Sequence, residues 1–126
     1  MTQIIGNKQP AQHFYVYKNV LDRRNKKEFK HPVATIAVTK LRNGWLKASA
    51  IVCHEKDHFV KKVSLAKAYG KLLSKGPNVF VAKNDVELAD KIGAYVSSKN
   101  NYSLASANWS DASYALMTVV KQLKLV

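Results

Sequence analysis

Apolar and polar positions alternate along residues 12–18, Gln-His-Phe-Tyr-Val-Tyr-Lys, and their aromatic and β-branched content predicts a β-strand. Alternation sends Phe14 and Val16 to one side and His13, Tyr15 and Tyr17 to the other. Two more strands are predicted at 33–41 and 45–53, flanking Asn43-Gly44, the dipeptide that best supplies positive φ at both centres of a type I′ turn. With Asn43 and Gly44 as a two-residue loop, Lys40 faces Lys47, Val38 faces Ser49 and Ile36 faces Ile51. After a polar turn at 54–58 the period changes to that of a helix over about 60–74. Leu65, Tyr69, Leu72 and Leu73 lie on one side of it, and Gly76-Pro77 stops it. Residues 78–83 form a short fourth strand. Asn84 and Glu87 have the spacing of a capping box, and Asp85, Glu87 and Asp90 crowd the following turn, so a helix runs from there to about Ser97. A polar loop at 98–107 leads to a last helix at about 109–123. Residues 1–10 read as a loosely held arm, and 21–31 as a basic connection closed by Pro32.

The order β-β-β-α-β-α-α predicts an α+β fold: an antiparallel sheet of about four strands with about three helices packed on one face. At 126 residues and 47% apolar, the chain suits a single domain with a true core. In the last helix Met117, Val119, Val120 and Leu123 spread around much of the circumference. That predicts deep burial or a homo-oligomer contact through 109–123. No apolar run approaches the roughly 18 residues of a membrane helix, and residues 1–8 lack the apolar core of a signal peptide. One cysteine, Cys53, excludes a disulfide scaffold. A cytoplasmic location is expected, with no membrane partner.

Charge changes the picture most. The chain holds 21 Lys+Arg against 8 Asp+Glu, a net charge of +13. Residues 1–83 hold 17 of the basic residues and 4 of the acidic ones, so the whole excess lies in the first two thirds. Basic residues there interleave with strand and helix patterns, which predicts a folded surface with a positive face and a polyanionic partner.

Three features can carry that contact. At the hairpin tip the two-residue loop sets Lys40 opposite Lys47, beside Arg42 and Trp45. Facing like charges repel, and an anion relieves them. Along the first helix Lys67, Lys71 and Lys75 fall within about 80° of one another, with Lys61 and Ser64 extending the stripe, as a phosphate backbone requires. The connection at 21–31 adds Arg23, Arg24, Lys26 and Lys27. Trp45, Tyr15 and Tyr17 are the candidates for stacking on exposed bases.

Catalytic constellations are weak. Cys53, His54 and His58 supply three soft ligands, but a closed zinc site needs four. Cys53 is expected to be a small structural thiol at a strand end. Two-metal phosphoryl chemistry needs several convergent carboxylates, and eight serve the whole chain. No P-loop or dinucleotide-binding glycine fingerprint is present. The expectation is a protein without enzymatic activity, metal or cofactor.

The stretch Cys53-His54-Glu55-Lys56-Asp57-His58-Phe59-Val60-Lys61-Lys62, followed by Leu65-Ala66 and Gly70-Lys71-Leu72, resembles small basic proteins encoded by bacteriophages. In those, a strand ending in a small or Cys residue leads through a Lys-Asp-x-Phe turn into a basic helix. The resemblance covers residues 53–72 and implies a role in the cytoplasm of an infected bacterial cell, with no catalytic residues to carry over. Asp57 can cap the helix and Phe59 can staple the turn. Two functions follow: non-enzymatic binding of DNA or RNA through the basic surface of residues 1–83, or inhibition of an acidic host protein, which the same charge steers. No helix-turn-helix, zinc-finger or RNA-recognition signature is present, so sequence-specific reading is not expected.

Overall fold

A computed structural model describes residues 3–5, 9–22, 24, 26–52, 60–100 and 109–124. Five strands, β1 (Gln3–Ile5), β2 (Gln9–Asp22), β3 (Lys27–Lys40), β4 (Leu46–Val52) and β5 (Val79–Ala82), form one antiparallel sheet in the order β1-β2-β3-β4-β5. Helix α1 (Lys61–Lys71) lies between β4 and β5 in sequence. Helices α2 (Asp85–Asn100) and α3 (Trp109–Lys124) follow β5. The fold is α+β in the predicted order, with the three-residue β1 added. That strand comes from the stretch expected to be a loose arm, and it sets Gln3 opposite Ala11 and Ile5 opposite Gln9.

The strands β2 and β3 run to 14 residues each, well past the predicted 12–18 and 33–41. Most of the supposed connection at 21–31 is therefore strand, and only a short tip separates Asp22 from Lys27. Val16 pairs with Ala34 but Tyr17 pairs with Pro32, leaving Val33 as the extra residue of a bulge. A bulge is where a sheet tolerates proline, so Pro32 does not end the strand.

The helices do not share one face. Phe14, Val16, Ile36, Val38, Leu46 and Ala48 bury against Leu88, Ile92 and Val96 of α2 and Ala112, Leu116, Val119, Val120 and Leu123 of α3. The other side of the sheet receives α1, where Ala11 and Ala37 meet Ala68, Tyr69 and Leu72. Both sides of β3 are thus covered, and every residue from Val33 to Thr39 is buried. Small side chains let α1 sit close, and polar ones fix it. Ser49 Oγ donates to the Ala68 carbonyl at 2.5 Å, and Ser64 Oγ donates to Thr35 Oγ1 at 2.6 Å. Ser64 is consequently a docking residue rather than part of the lysine stripe. The helix ends at Lys71, and Leu73, placed by the periodicity on its apolar side, is exposed.

The apolar residues of α3 resolve into one stripe at 112, 116, 119, 120 and 123, the spacing of a single core-facing side. Among the described residues, the excess expected to seek an oligomer contact shrinks to Tyr114 and Met117, which are 75% and 44% exposed. Helix α2 starts at the predicted cap, Asn84, but Glu87 reaches back to the residue before the cap and not to the cap's own N–H as a capping box does. Asn84 Oδ1 accepts a hydrogen bond from the Glu87 N–H at 2.9 Å, and the Glu87 carboxylate accepts one from the Lys83 N–H at 3.3 Å. Replacing Asn84 with alanine should lower stability by about 0.5–2 kcal/mol, read as a lower urea midpoint at unchanged slope; an unmoved midpoint contradicts the cap.

Candidate nucleic-acid interface

The β3–β4 tip is a turn at Asn43-Gly44, but not the predicted two-residue loop. The Gly44 N–H donates to the Leu41 carbonyl at 3.0 Å, and the Leu41 N–H donates to the Trp45 carbonyl at 2.8 Å. Gly44 has φ +88°, whereas Asn43 is not left-handed as a type I′ turn requires. Instead the Asn43 side-chain carbonyl accepts the Trp45 N–H at 3.0 Å. This is a three-residue loop closed by a left-handed glycine. One extra loop residue slips the register by one: Thr39 pairs with Lys47, and Lys40 pairs with Leu46. A one-residue slip reverses sides. Lys40 and Lys47 therefore lie on opposite faces of the sheet and do not repel one another across the ladder. Lys40 goes to the α2–α3 side, and Lys47 to the α1 side.

On the α1 side, β4 and β5 extend beyond the helix. Leu46 pairs with Ala82 and Lys47 with Val81. One step further along that register, Trp45 comes beside Lys83, whose Nζ stands 5.6 Å from the indole ring centre. Trp45 keeps 38% of its surface exposed. An ammonium on an exposed ring is held by only about 0.5–1 kcal/mol, so Lys83 is free to turn to a phosphate. Next to this pair is an open depression of about 330 Å³ lined by Leu41, Lys47, Lys75, Gly76, Val79 and Val81. Its floor is apolar, two of its walls are cationic, and among the described residues no acidic side chain lines it.

The α1 lysines border the same region. The Tyr69 hydroxyl is bonded to His13 Nδ1 at 2.8 Å, which turns that flank of α1 toward β2. Lys67 and Lys71 each sit two positions from Tyr69, about 160° around the helix, and so project from the flank opposite the one that faces β2. Both are exposed. The fold thus brings Lys47 and Lys75 together on one lining and sets Lys83 over Trp45 nearby, whereas Lys67 and Lys71 lie exposed on α1 and Arg42 is exposed in the turn.

The remaining candidates lie elsewhere. Lys61 sits at the start of α1 with its Nζ 4.8 Å from the Tyr15 ring centre and 5.8 Å from that of Tyr17. It also donates to the Tyr17 hydroxyl at 3.5 Å. Tyr15 packs edge-on against His13 and Tyr17, so these two tyrosines form a half-buried ladder that already holds a cation. Arg24, Lys26 and Lys27 are exposed at the β2–β3 tip. The 14 residues of β3 separate that tip from the Trp45 region by about 40 Å. Arg23 lies outside the described residues, as do Cys53, His54, Asp57, His58 and Phe59. Among the described residues no group of three His, Cys, Asp or Glu side chains is arranged to hold a metal ion. None of the described helices is long and apolar enough to cross a membrane.

The His13–Tyr69 pair gives a pH signature. Burial lowers the His13 pKa from its usual 6.5. Burial, and then Tyr15, push the Tyr69 hydroxyl up to about 12, so it stays protonated beside the imidazole at ordinary pH. The unfolded chain binds the His13 proton more tightly than the folded one. The stability this pair contributes is therefore complete above 6.5 and is lost as pH falls through the lowered folded value. Between about pH 7 and pH 5 the wild type should lose more stability than His13→Gln does; parallel urea-derived curves contradict this.

Comparison with known proteins gives no match: no family model, curated protein or solved structure matches this chain. Lys83, Val79 and Val81 are the site residues that sequence reasoning missed. Their signal was the short strand at 78–83, but its partner strand was not legible, because α1 intervenes between β4 and β5.

Proposed function

We propose that this chain is a non-enzymatic nucleic-acid-binding protein that holds a phosphate backbone on the α1 side of its sheet. The observation that carries this is that Lys47 and Lys75 line a depression with no acidic residue among its described lining, near the exposed Trp45–Lys83 pair and on the side of the sheet covered by α1, whose Lys67 and Lys71 are exposed. Lysines act there as point charges on phosphates without base preference. The resemblance over residues 53–72 supports a setting in a phage-infected bacterial cytoplasm.

Fluorescence anisotropy with labelled oligonucleotides, at several salt concentrations, tests the proposal. Five phosphate contacts predict that log K falls with log salt at a slope of about −3.5 for a single strand. Absence of binding, or binding indifferent to salt, overturns it and leaves the charge to serve an acidic protein partner.

A further inference from the structure

We infer that the depression beside Trp45 takes one unpaired nucleobase, so that the protein grips single-stranded rather than duplex nucleic acid; this rests on the nucleic-acid reading above. Leu41, Val79 and Val81 give an apolar floor in the middle of a cationic surface. A duplex gains nothing from such a floor, because its bases are stacked inside and it presents phosphates and groove edges. An unpaired base has a π-face to bury. The size agrees: about 330 Å³ lies at the lower end of small-ligand sites and suits one nucleotide, not a helix.

The surrounding groups match the rest of a nucleotide chain. Trp45 immediately precedes β4 and its carbonyl accepts the N–H of Leu41, which lines the depression, so the indole stands next to that lining as a second stacking surface. Lys47 on β4 and Lys75, which lies beyond the end of α1 rather than on its predicted lysine stripe, both line it, where the phosphates that flank a seated base pass. Lys83 rests over the indole and can pass to a phosphate when a base takes its place. Lys67 and Lys71 continue the cationic track along α1. A wholly acidic peptide would answer the lysines but not the indole and the apolar floor together.

The test compares a labelled 20-residue oligothymidylate, a duplex of the same length and a polyglutamate peptide, for wild type, Trp45→Ala, Trp45→Phe and Val81→Asn. The expected result is single-strand binding at least about tenfold tighter than duplex binding. Trp45→Ala should weaken the single-strand complex by about 5- to 150-fold while leaving duplex affinity and the salt slope unchanged, and Trp45→Phe should restore most of the loss. Val81→Asn makes the floor polar and should weaken the single strand selectively, which keeps the test open if Trp45→Ala does not fold. Equal affinity for single strand and duplex, or folded Trp45→Ala and Val81→Asn variants that both bind like wild type, overturns the base site while leaving nucleic-acid binding standing. Binding of polyglutamate with no binding of either oligonucleotide overturns both.

Discussion

A variant carrying Lys47→Gln, Lys67→Gln, Lys71→Gln and Lys75→Gln should bind single-stranded oligonucleotides two to three orders of magnitude more weakly than wild type in about 0.1 M salt. Each phosphate contact on a single strand contributes about 0.7 log units of affinity at that ionic strength, through release of condensed counterions. Four contacts together give just under three log units, and the salt slope should fall by a similar number. The fold should persist, since three of the four side chains are exposed and the fourth is half-buried. Circular dichroism and a urea midpoint near that of wild type establish this. The control is substitution of Arg24, Lys26 and Lys27, which carries nearly the same charge change to a tip about 40 Å away along β3. If net charge alone drives binding, the two variants lose affinity alike. If the α1 side is the interface, the distant variant stays within a fewfold of wild type.

The second large effect concerns stability. Leu116 is buried on the α3 stripe that closes the α2–α3 side of the sheet. Leu116→Ala should cost about 2–5 kcal/mol, from lost transfer energy and the cavity left behind. That is a large share of the roughly 5–15 kcal/mol that holds a domain of this size. Tyr114→Ser, two positions earlier on the exposed side of the same helix, should change stability by no more than about 0.5 kcal/mol. The pair separates core burial from helix propensity. Similar losses in both variants would mean that the exposed side of α3 is covered in solution, as an oligomer contact through this helix requires.

Much of the backbone was legible because local signals were strong. Asn43-Gly44 marked the turn, Asn84 and Glu87 marked the start of α2, and 3.6-residue periodicity placed all three helices within a few residues of their observed bounds. Information that depends on contacts between distant segments was not legible. The Asn-Gly dipeptide fits both a two-residue loop and a three-residue loop with a left-handed glycine. Only the full ladder from Ala34–Val52 to Lys40–Leu46 decides between them. That single residue of slip separates Lys40 from Lys47. The division of helices between two sides was hidden for another reason. The α1 side of the sheet is lined by Ala11, Thr35, Ala37 and Ser49, which read as weakly polar or small rather than as a core-facing row. Their hydroxyls are satisfied by α1, which no local pattern announces. The site followed the same rule: Lys47, Lys67, Lys71 and Lys75 stood out by type, but Lys83 did not, because its place beside Trp45 depends on where β5 pairs.

The most direct measurement of the central claim is a ¹H–¹⁵N chemical-shift titration of the labelled protein with oligothymidylate. Binding on the α1 side predicts perturbed amides at residues 41–47, 67–76 and 79–83, with the indole N–H of Trp45 among the largest changes, and quiet signals at the β2–β3 tip and along α3. Perturbations concentrated at Arg24, Lys26 and Lys27, or around Tyr114 and Met117, or a spectrum that does not change at all, would contradict it.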